Sequence, residues 1–160
     1  MDKLLMNEME DDYDLVKEEE KELERFLTFK TEELIFGIET KYVVEIITEF
    51  NIRVVPLVPD YIKGIINLRG EVLPIIDLRI FLGKEFLEYG STTCIIIIKK
   101  DGISLGIAVD TVLQVKDIDL LKQRPIPKSS DNKIAKGIVE SDDSVVLLFD
   151  CDEIIVKAEK

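Results

Sequence analysis

GIINLRGEVLPIIDLRIFLG, residues 64–83, carries two β-rich runs joined by a glycine-containing reversal. Ile65, Ile66 and Leu68 form the first run. Val72, Leu73, Ile75 and Ile76 form the second, which ends at Asp77. Arg69-Gly70 between them predicts a hairpin turn. Pro74 has no amide hydrogen to donate to a ladder, so the second strand is expected to be an edge, bulged or bent there. Leu78 to Leu82, followed by Gly83, predicts one or two helical turns closed by a glycine. Strand, turn, bent strand and capped turn together make the corner of a small barrel.

Working outward, Phe26–Phe29 and Leu34–Ile38 flank the polar Lys30-Thr31-Glu32-Glu33 and predict a hairpin. Thr40 is placed to cap a short helix through Ile47. In that helix Tyr42, Val43, Val44, Ile46 and Ile47 are all apolar and Glu45 is the one acid. Such an arc is wider than the ~100° stripe a core needs. Either part of it faces outward, or the helix is wedged between two lobes. Ile52-Arg53-Val54-Val55 reads as a strand, and Pro56 and Pro59 enforce extended or turn geometry after it. The pattern restarts after a connector at Lys84–Thr92. Thr93–Lys99 and Ile103–Val109 are strands about a strong Asp101-Gly102 turn signal. Val112–Val115 continues the sheet, Arg124–Asn132 is the longest loop, and Ile134–Val139 and Val145–Phe149 form a last hairpin. Asp152–Val156 ends the fold as a strand or short helix. Two successive groups of about five short strands predict a mostly β chain of two barrels side by side.

Composition excludes most chemistry. The chain of 160 residues is 46% hydrophobic, enough for a globular core, and carries a formal charge of −12. Residues 1–25 hold 11 acids and 4 bases; they read as a mobile, partly helical tail or an extra docking segment. Strong negative charge repels phosphate backbones and anionic lipid. No apolar run approaches the ~20 residues of a membrane span, and no secretory signal follows Met1, so a cytoplasmic location is expected. There is no histidine, which removes imidazole bases, imidazole metal ligands and a phosphohistidine relay. Cys94 and Cys151 lack CxxC spacing and read as small core residues.

Candidate sites are few. Asp77 and Asp110 sit at the ends of apolar runs and are expected to cap turns or helix starts rather than to act as an acid/base pair. Asp142, Asp143, Asp150 and Asp152 lack the spacing of a calcium loop. Gly64, Gly70 and Gly83 read as backbone devices, and Gly106 as a bulge or a close approach. No phosphate-cradling glycine motif occurs. The expectation is a protein with no catalytic group, no metal and no cofactor, binding partners through apolar contact. Ile46, Phe50, Ile62 and Leu68, crowded around the predicted helix and turns, are the candidate apolar interface.

The stretch resembles the central motif of the CheW family, the adaptors of bacterial chemotaxis, through Gly64, Asn67-Leu68-Arg69-Gly70, Pro74 and Ile76-Asp77-Leu78-Arg79. The likeness runs from about Phe26 to Val156. It implies two SH3-like five-stranded barrels with short helices and a shared core. Residues 26–87 would form the first barrel and 88–156 the second, with the first strand able to pair with the other barrel; 1–25 and 157–160 are tails. The resemblance also implies an adaptor joining the regulatory domain of the histidine kinase CheA to the helical cytoplasmic tips of methyl-accepting chemotaxis receptors. Val43, Glu45, Gly64 and Arg69 match its receptor and kinase contact surface; Asn67, Gly70, Pro74, Asp77 and Arg79 match its structural motif. Arg69 is expected to bridge Glu45 and a partner group, or simply to brace the barrel through Glu45; the two roles are compatible. The alternatives are an adaptor of the same fold in another two-component pathway, such as pilus motility, and a small barrel binding nucleic acid. The second fits poorly with the negative charge.

Overall fold

A computed structural model describes residues 20–127 and 134–159. Most of the expected tail and part of the longest loop, residues 128–133, lie outside the described residues. Among the described residues ten strands are arranged in two five-stranded sheets. In chain order they are β1 (Leu23–Thr31), β2 (Leu34–Glu39), β3 (Val43–Ile47), β4 (Ile62–Leu68), β5 (Glu71–Asp77), β6 (Cys94–Lys100), β7 (Ile103–Val109), β8 (Thr111–Asp119), β9 (Ala135–Ser141) and β10 (Ser144–Phe149). Two helices, α1 (Leu78–Phe81) and α2 (Cys151–Ala158), follow β5 and β10, each capped by an aspartate, Asp77 and Asp150. The expected short helix at 78–82 is therefore present, and the segment after Phe149 is a helix.

The strand order is β3-β6-β7-β5-β4 in the first sheet and β8-β1-β2-β10-β9 in the second. Both sheets use the same sequence of pairings. Each has one parallel contact, β5 with β7 and β10 with β2, among antiparallel ones. Residues 23–81 and 94–158 thus repeat one strand pattern, but each gives its first hairpin to the other's sheet. Sheet membership consequently does not follow the expected boundary at residue 88: β1 and β2 join β8–β10, and β6 and β7 join β3–β5. Local turn signals fix the hairpins, whereas these exchanges depend on pairings remote in sequence.

Neither ladder closes into a barrel. β3 and β4 are the edges of the first sheet and β8 and β9 those of the second. Instead, the chain leaving β3 reaches the opposite edge through one bridge, Arg53 with Ile65, and the chain leaving β8 does the same through Arg124 and Ile138. Ile52–Val55 is accordingly a single bridge and not a full strand.

The predicted helix from Thr40 to Ile47 is absent. Thr40–Tyr42 makes one 3-10 turn, and Val43–Ile47 is strand β3, paired with β6. Four β-branched residues in five favour the pleated conformation over the helical one. Alternation then leaves Val44 and Ile46 exposed and Val43, Glu45 and Ile47 half-buried. Pro74 lies in a strand with neighbours on both sides, but the ladder to β7 covers only Ile75–Asp77, so Pro74 needs no partner there. The bulge falls in β4, between Ile62 and Gly64.

The two-residue period of the strands builds three layers of core. Ile96 and Ile98 of β6, Phe29 of β1, Phe36 of β2, Ile76, Ile107, Phe149 and Ile154 meet in a core common to both sheets. The alternate residues Ile95 and Ile97 turn into a smaller core of the first sheet with Leu73 and Ile75. Phe26, Val146 and Leu148 make that of the second. β6 is buried on both faces, which explains its uninterrupted apolar run. Gly106 lies where an added Cβ would press on Ile75 and Ile95, so its role is close approach.

Candidate functional site

The β4–β5 turn holds Arg69 at φ 52° and Gly70 at φ 84°. Two left-handed residues in a two-residue loop match the right-handed twist of the strands. An arginine in that region costs roughly 1–2 kcal/mol; Asn67 Oδ1, which accepts the Gly70 amide at 3.0 Å, helps hold the turn. Arg69 Nη1 and Nη2 donate to Glu45 Oε1 and Oε2 on β3 at 2.8 and 3.0 Å. The fork therefore ties the turn after β4 to the opposite edge strand. Arg69 is 73% exposed and Glu45 25%, so the pair contributes only about 0–1 kcal/mol to stability. Its larger effect is to fix the direction of a guanidinium that keeps unused donors at the surface.

Gly64 shapes what lies beside this fork. At φ 150° it sits where an added Cβ would strike the Arg53 carbonyl. Its missing side chain lets Arg53 lie against β4, with Arg53 N–H donating to Ile65 O and Ile65 N–H to Arg53 O, each at 2.9 Å. The result is a groove of about 420 Å³ with Ile47, Phe50, Ile66, Leu68 and Val72 among its walls and Arg53 at its side.

The other end of the motif is internal. Asp77 is 2% exposed; it accepts the Ile80 amide at 3.2 Å and the Tyr89 hydroxyl at 2.8 Å. Burial first, and then this bond, push the Tyr89 phenol above its ordinary range. Arg79 donates to Asp110 through Nε at 2.9 Å and Nη2 at 2.8 Å, and to Glu32 through Nη1 at 2.8 Å. The Asp110 bonds hold the Arg79 guanidinium even more firmly protonated than usual. Asp77 and Asp110 line one cavity of about 180 Å³. Both carboxylates are engaged by internal donors: Asp77 caps α1, and Asp110 accepts the Glu32 amide at the β1–β2 turn and braces Arg79.

The profile of the CheW-like domain family matches residues 25–159, both sheets in full apart from Leu23 and Glu24. This chain belongs to the CheW-like family. The chemotaxis protein CheW of Thermotoga maritima is 32% identical over 131 residues, 81% of this chain and 85% of that protein. That of Klebsiella aerogenes is 28% identical, covering 85% of this chain and 84% of the relative. The crystal structure of the scaffolding protein TtCheW from Thermoanaerobacter tengcongensis superposes with a TM-score of 0.75 at 30% identity, over 80% of this chain and 89% of that one.

In this CheW-like chain the structure brings Glu45, Arg69, Asn67 and Gly70 together at one corner, with Gly64 behind it. Val43 is half-buried against the common core. Of the four apolar candidates, Ile46 is 39% exposed, and Phe50 and Leu68 are half-buried at the groove. Ile62, at 8%, belongs to the core and offers no surface to a partner. Reading the sequence missed Val54 and Leu57, which are 86% and 104% exposed in the segment that follows Arg53 of the groove wall. For Leu57 the signal was present in Pro56 and Pro59, which flank Leu57-Val58 and hold that segment out of a strand ladder. It also missed that Asp110 and Glu32 share Arg79.

Proposed function

We propose that this CheW-like chain is a non-enzymatic adaptor that couples the helical cytoplasmic tips of chemoreceptors to the regulatory domain of the histidine kinase CheA. It works in the cytoplasm, at receptor arrays that it reaches through its partners. The observation that carries the reading is the Arg69–Glu45 fork, exposed at the rim of an apolar groove. A helix laid in that groove meets Phe50 and Leu68 with its apolar face, and unused guanidinium donors with a polar group at its edge. Arginine beside apolar anchors is the composition of a binding hot spot. The names and the fold of its relatives support the same role. The reading includes taking each five-stranded sheet as an SH3-like barrel, completed by the Arg53–Ile65 and Arg124–Ile138 bridges.

Arg69→Glu tests the docking role. Reversal places a carboxylate against Glu45 and removes the donors. Binding to a receptor helical hairpin is expected to weaken at least about tenfold, or roughly 1.4 kcal/mol, while the circular dichroism spectrum and urea midpoint stay close to those of the parent. Unchanged binding by a folded variant discards the role. Capture of the kinase regulatory domain, repeated in high salt, separates apolar docking, which survives, from an electrostatic contact, which is lost.

A further inference from the structure

The second sheet carries a shallow groove of about 630 Å³ lined by Leu121, Lys122, Gln123, Arg124 and Glu140. The Arg124–Ile138 bridge fixes its floor, with backbone bonds of 2.8 and 2.9 Å. Leu121 is 58% exposed; among the described residues neither Lys122 nor Arg124 has an ion pair within 4 Å, though Lys122 lies near enough to Asp119 to act on that carboxylate. The chain enters the described structure at the lip of this groove. Glu22 N–H donates to Asp119 Oδ1 at 3.1 Å, and Leu120 N–H donates to Glu22 O at 2.8 Å. Upstream lie residues 1–19, with eight acids against two bases and with Leu4, Leu5, Met6, Met9, Leu15 and Val16 among them.

We propose that residues 1–19 dock in cis on this groove, with their carboxylates toward Lys122 and Arg124 and apolar side chains over Leu121. The attachment point supplies what a weak contact needs. Glu18 and Glu19 stand a few residues from the Glu22–Leu120 bond, and a tether that short gives an effective concentration of order mM. Charge selects this occupant over two others. A second copy would bring the same net charge of −12, and an anionic partner would first have to approach that charge. Glu140 and Asp119, the acids at the groove, and Lys21, beside Asp119, set the local balance against which Lys122 and Arg124 act. This inference does not depend on the adaptor role.

A nitroxide on Asp12→Cys in the 160-residue chain reads the contact. Cys94 and Cys151 are buried, and burial pushes the Cys151 thiol up to about 12, so the label goes to the new thiol. Amide signals of Leu121–Arg124 and Glu140 are expected to broaden more than those of the Arg69-Gly70 turn. The excess is expected to disappear in about 1 M salt, where the screening length falls to ~3 Å, and in the double variant Lys122→Glu/Arg124→Glu. Broadening that is absent, evenly spread or indifferent to charge reversal overturns the proposal. So does broadening of the same amides in an isotope-labelled chain mixed with a separate spin-labelled one, because that places a second copy in the groove. Both substituted side chains are exposed; should the double variant still misfold, Asp11→Asn/Asp12→Asn/Asp14→Asn, read by a nitroxide on Glu8→Cys, makes the same comparison from the other side.

Discussion

The two sheets are built on one plan, yet their ion pairs are inverted. In the first, the turn residue Arg69 is 73% exposed and reaches the more buried Glu45 on edge strand β3. In the second, the turn residue Asp142 is 84% exposed and lies 3.5 Å from the more buried Lys116 on edge strand β8. The helices repeat the inversion. Arg79, the second residue of α1, bonds Glu32 at the β1–β2 turn, and Asp152, the second residue of α2, bonds Lys100 at the start of the β6–β7 turn, each at 2.8 Å. Position is therefore kept while sign is reversed. The first corner shows a cation to its surroundings and the second an anion, so one architecture offers two surfaces of opposite electrostatic character. Discrimination between partners is a use to which opposed charges are well suited.

The strongest way to break the comparison is at two matched glycines, the third residues of β4 and β9. Gly64→Ala drives a Cβ into the Arg53 backbone at a φ of 150°, whereas the Cβ of Gly137→Ala meets the mobile end of the Gln123 side chain. The first loses two backbone bonds and adds strain, about 3 kcal/mol; the second costs about 1 kcal/mol. Urea titrations of both variants check this. Because the sheets exchange hairpins and share a core, each variant is expected to unfold in one transition; two separated transitions would sink the idea of a common core.

Next in size is the Arg79 brace against its inverted counterpart. Arg79 is 16% exposed and its loss leaves Asp110, at 29%, without its cation. Asp152 is 69% exposed. Arg79→Ala is expected to cost about 2 kcal/mol, and Asp152→Ala under ~0.5 kcal/mol. Equal costs in thermal melts would show that burial does not distinguish the two braces.

The sequence revealed the hairpins where a turn had its own chemistry: Arg69-Gly70, and Asp101-Gly102 at φ 52° and 80°. It also placed Glu45 with Arg69, since the resemblance assigned both to one contact surface. It did not reveal β3, because Val43–Ile47 satisfies a wide helical arc as readily as a strand and only pairing with β6 decides. Of the exchange of hairpins, only the resemblance gave warning, for the first strand, which does pair with β8; the rest depends on contacts such as Val146 with Ile35 and has no local signature. Arg79 was read as motif without its partners, for Asp110 and Glu32 lie far along the chain on opposite sides of it.

At the two corners themselves the stability effect is small and the functional one is not. Arg69→Ala and Asp142→Ala are each expected to change the unfolding free energy by no more than ~1 kcal/mol. Only the first should weaken receptor binding. A charge exchange, Glu45→Arg with Arg69→Glu, sharpens this: it restores an ion pair without the original cation at the rim. Binding recovered by the exchange would reduce the pair to a brace, and binding still lost would assign recognition to the arginine itself.

The smallest difference concerns acid, and it falls on the second sheet. Glu39, at the end of β2, accepts from Lys136 of β9 at 3.1 Å and lies 3.1 Å from Lys41. Burial alone would raise its pKa, but hydrogen bonds from Lys136 and Lys41 outweigh this and hold it below the ordinary glutamate value. A carboxyl depressed in the folded state contributes stability above its unfolded pKa and loses it as pH falls through the folded one. Wild type is therefore expected to lose more urea resistance than Glu39→Gln as pH falls from about 5 to about 3, with the two curves parallel above that window. Lys136→Met should flatten the wild-type curve in the same range, because it removes the bond that links β2 to β9 across β10. If Glu39→Gln keeps the full acid sensitivity, the titrating group lies elsewhere and this seam is no weaker in acid than its counterpart in the first sheet.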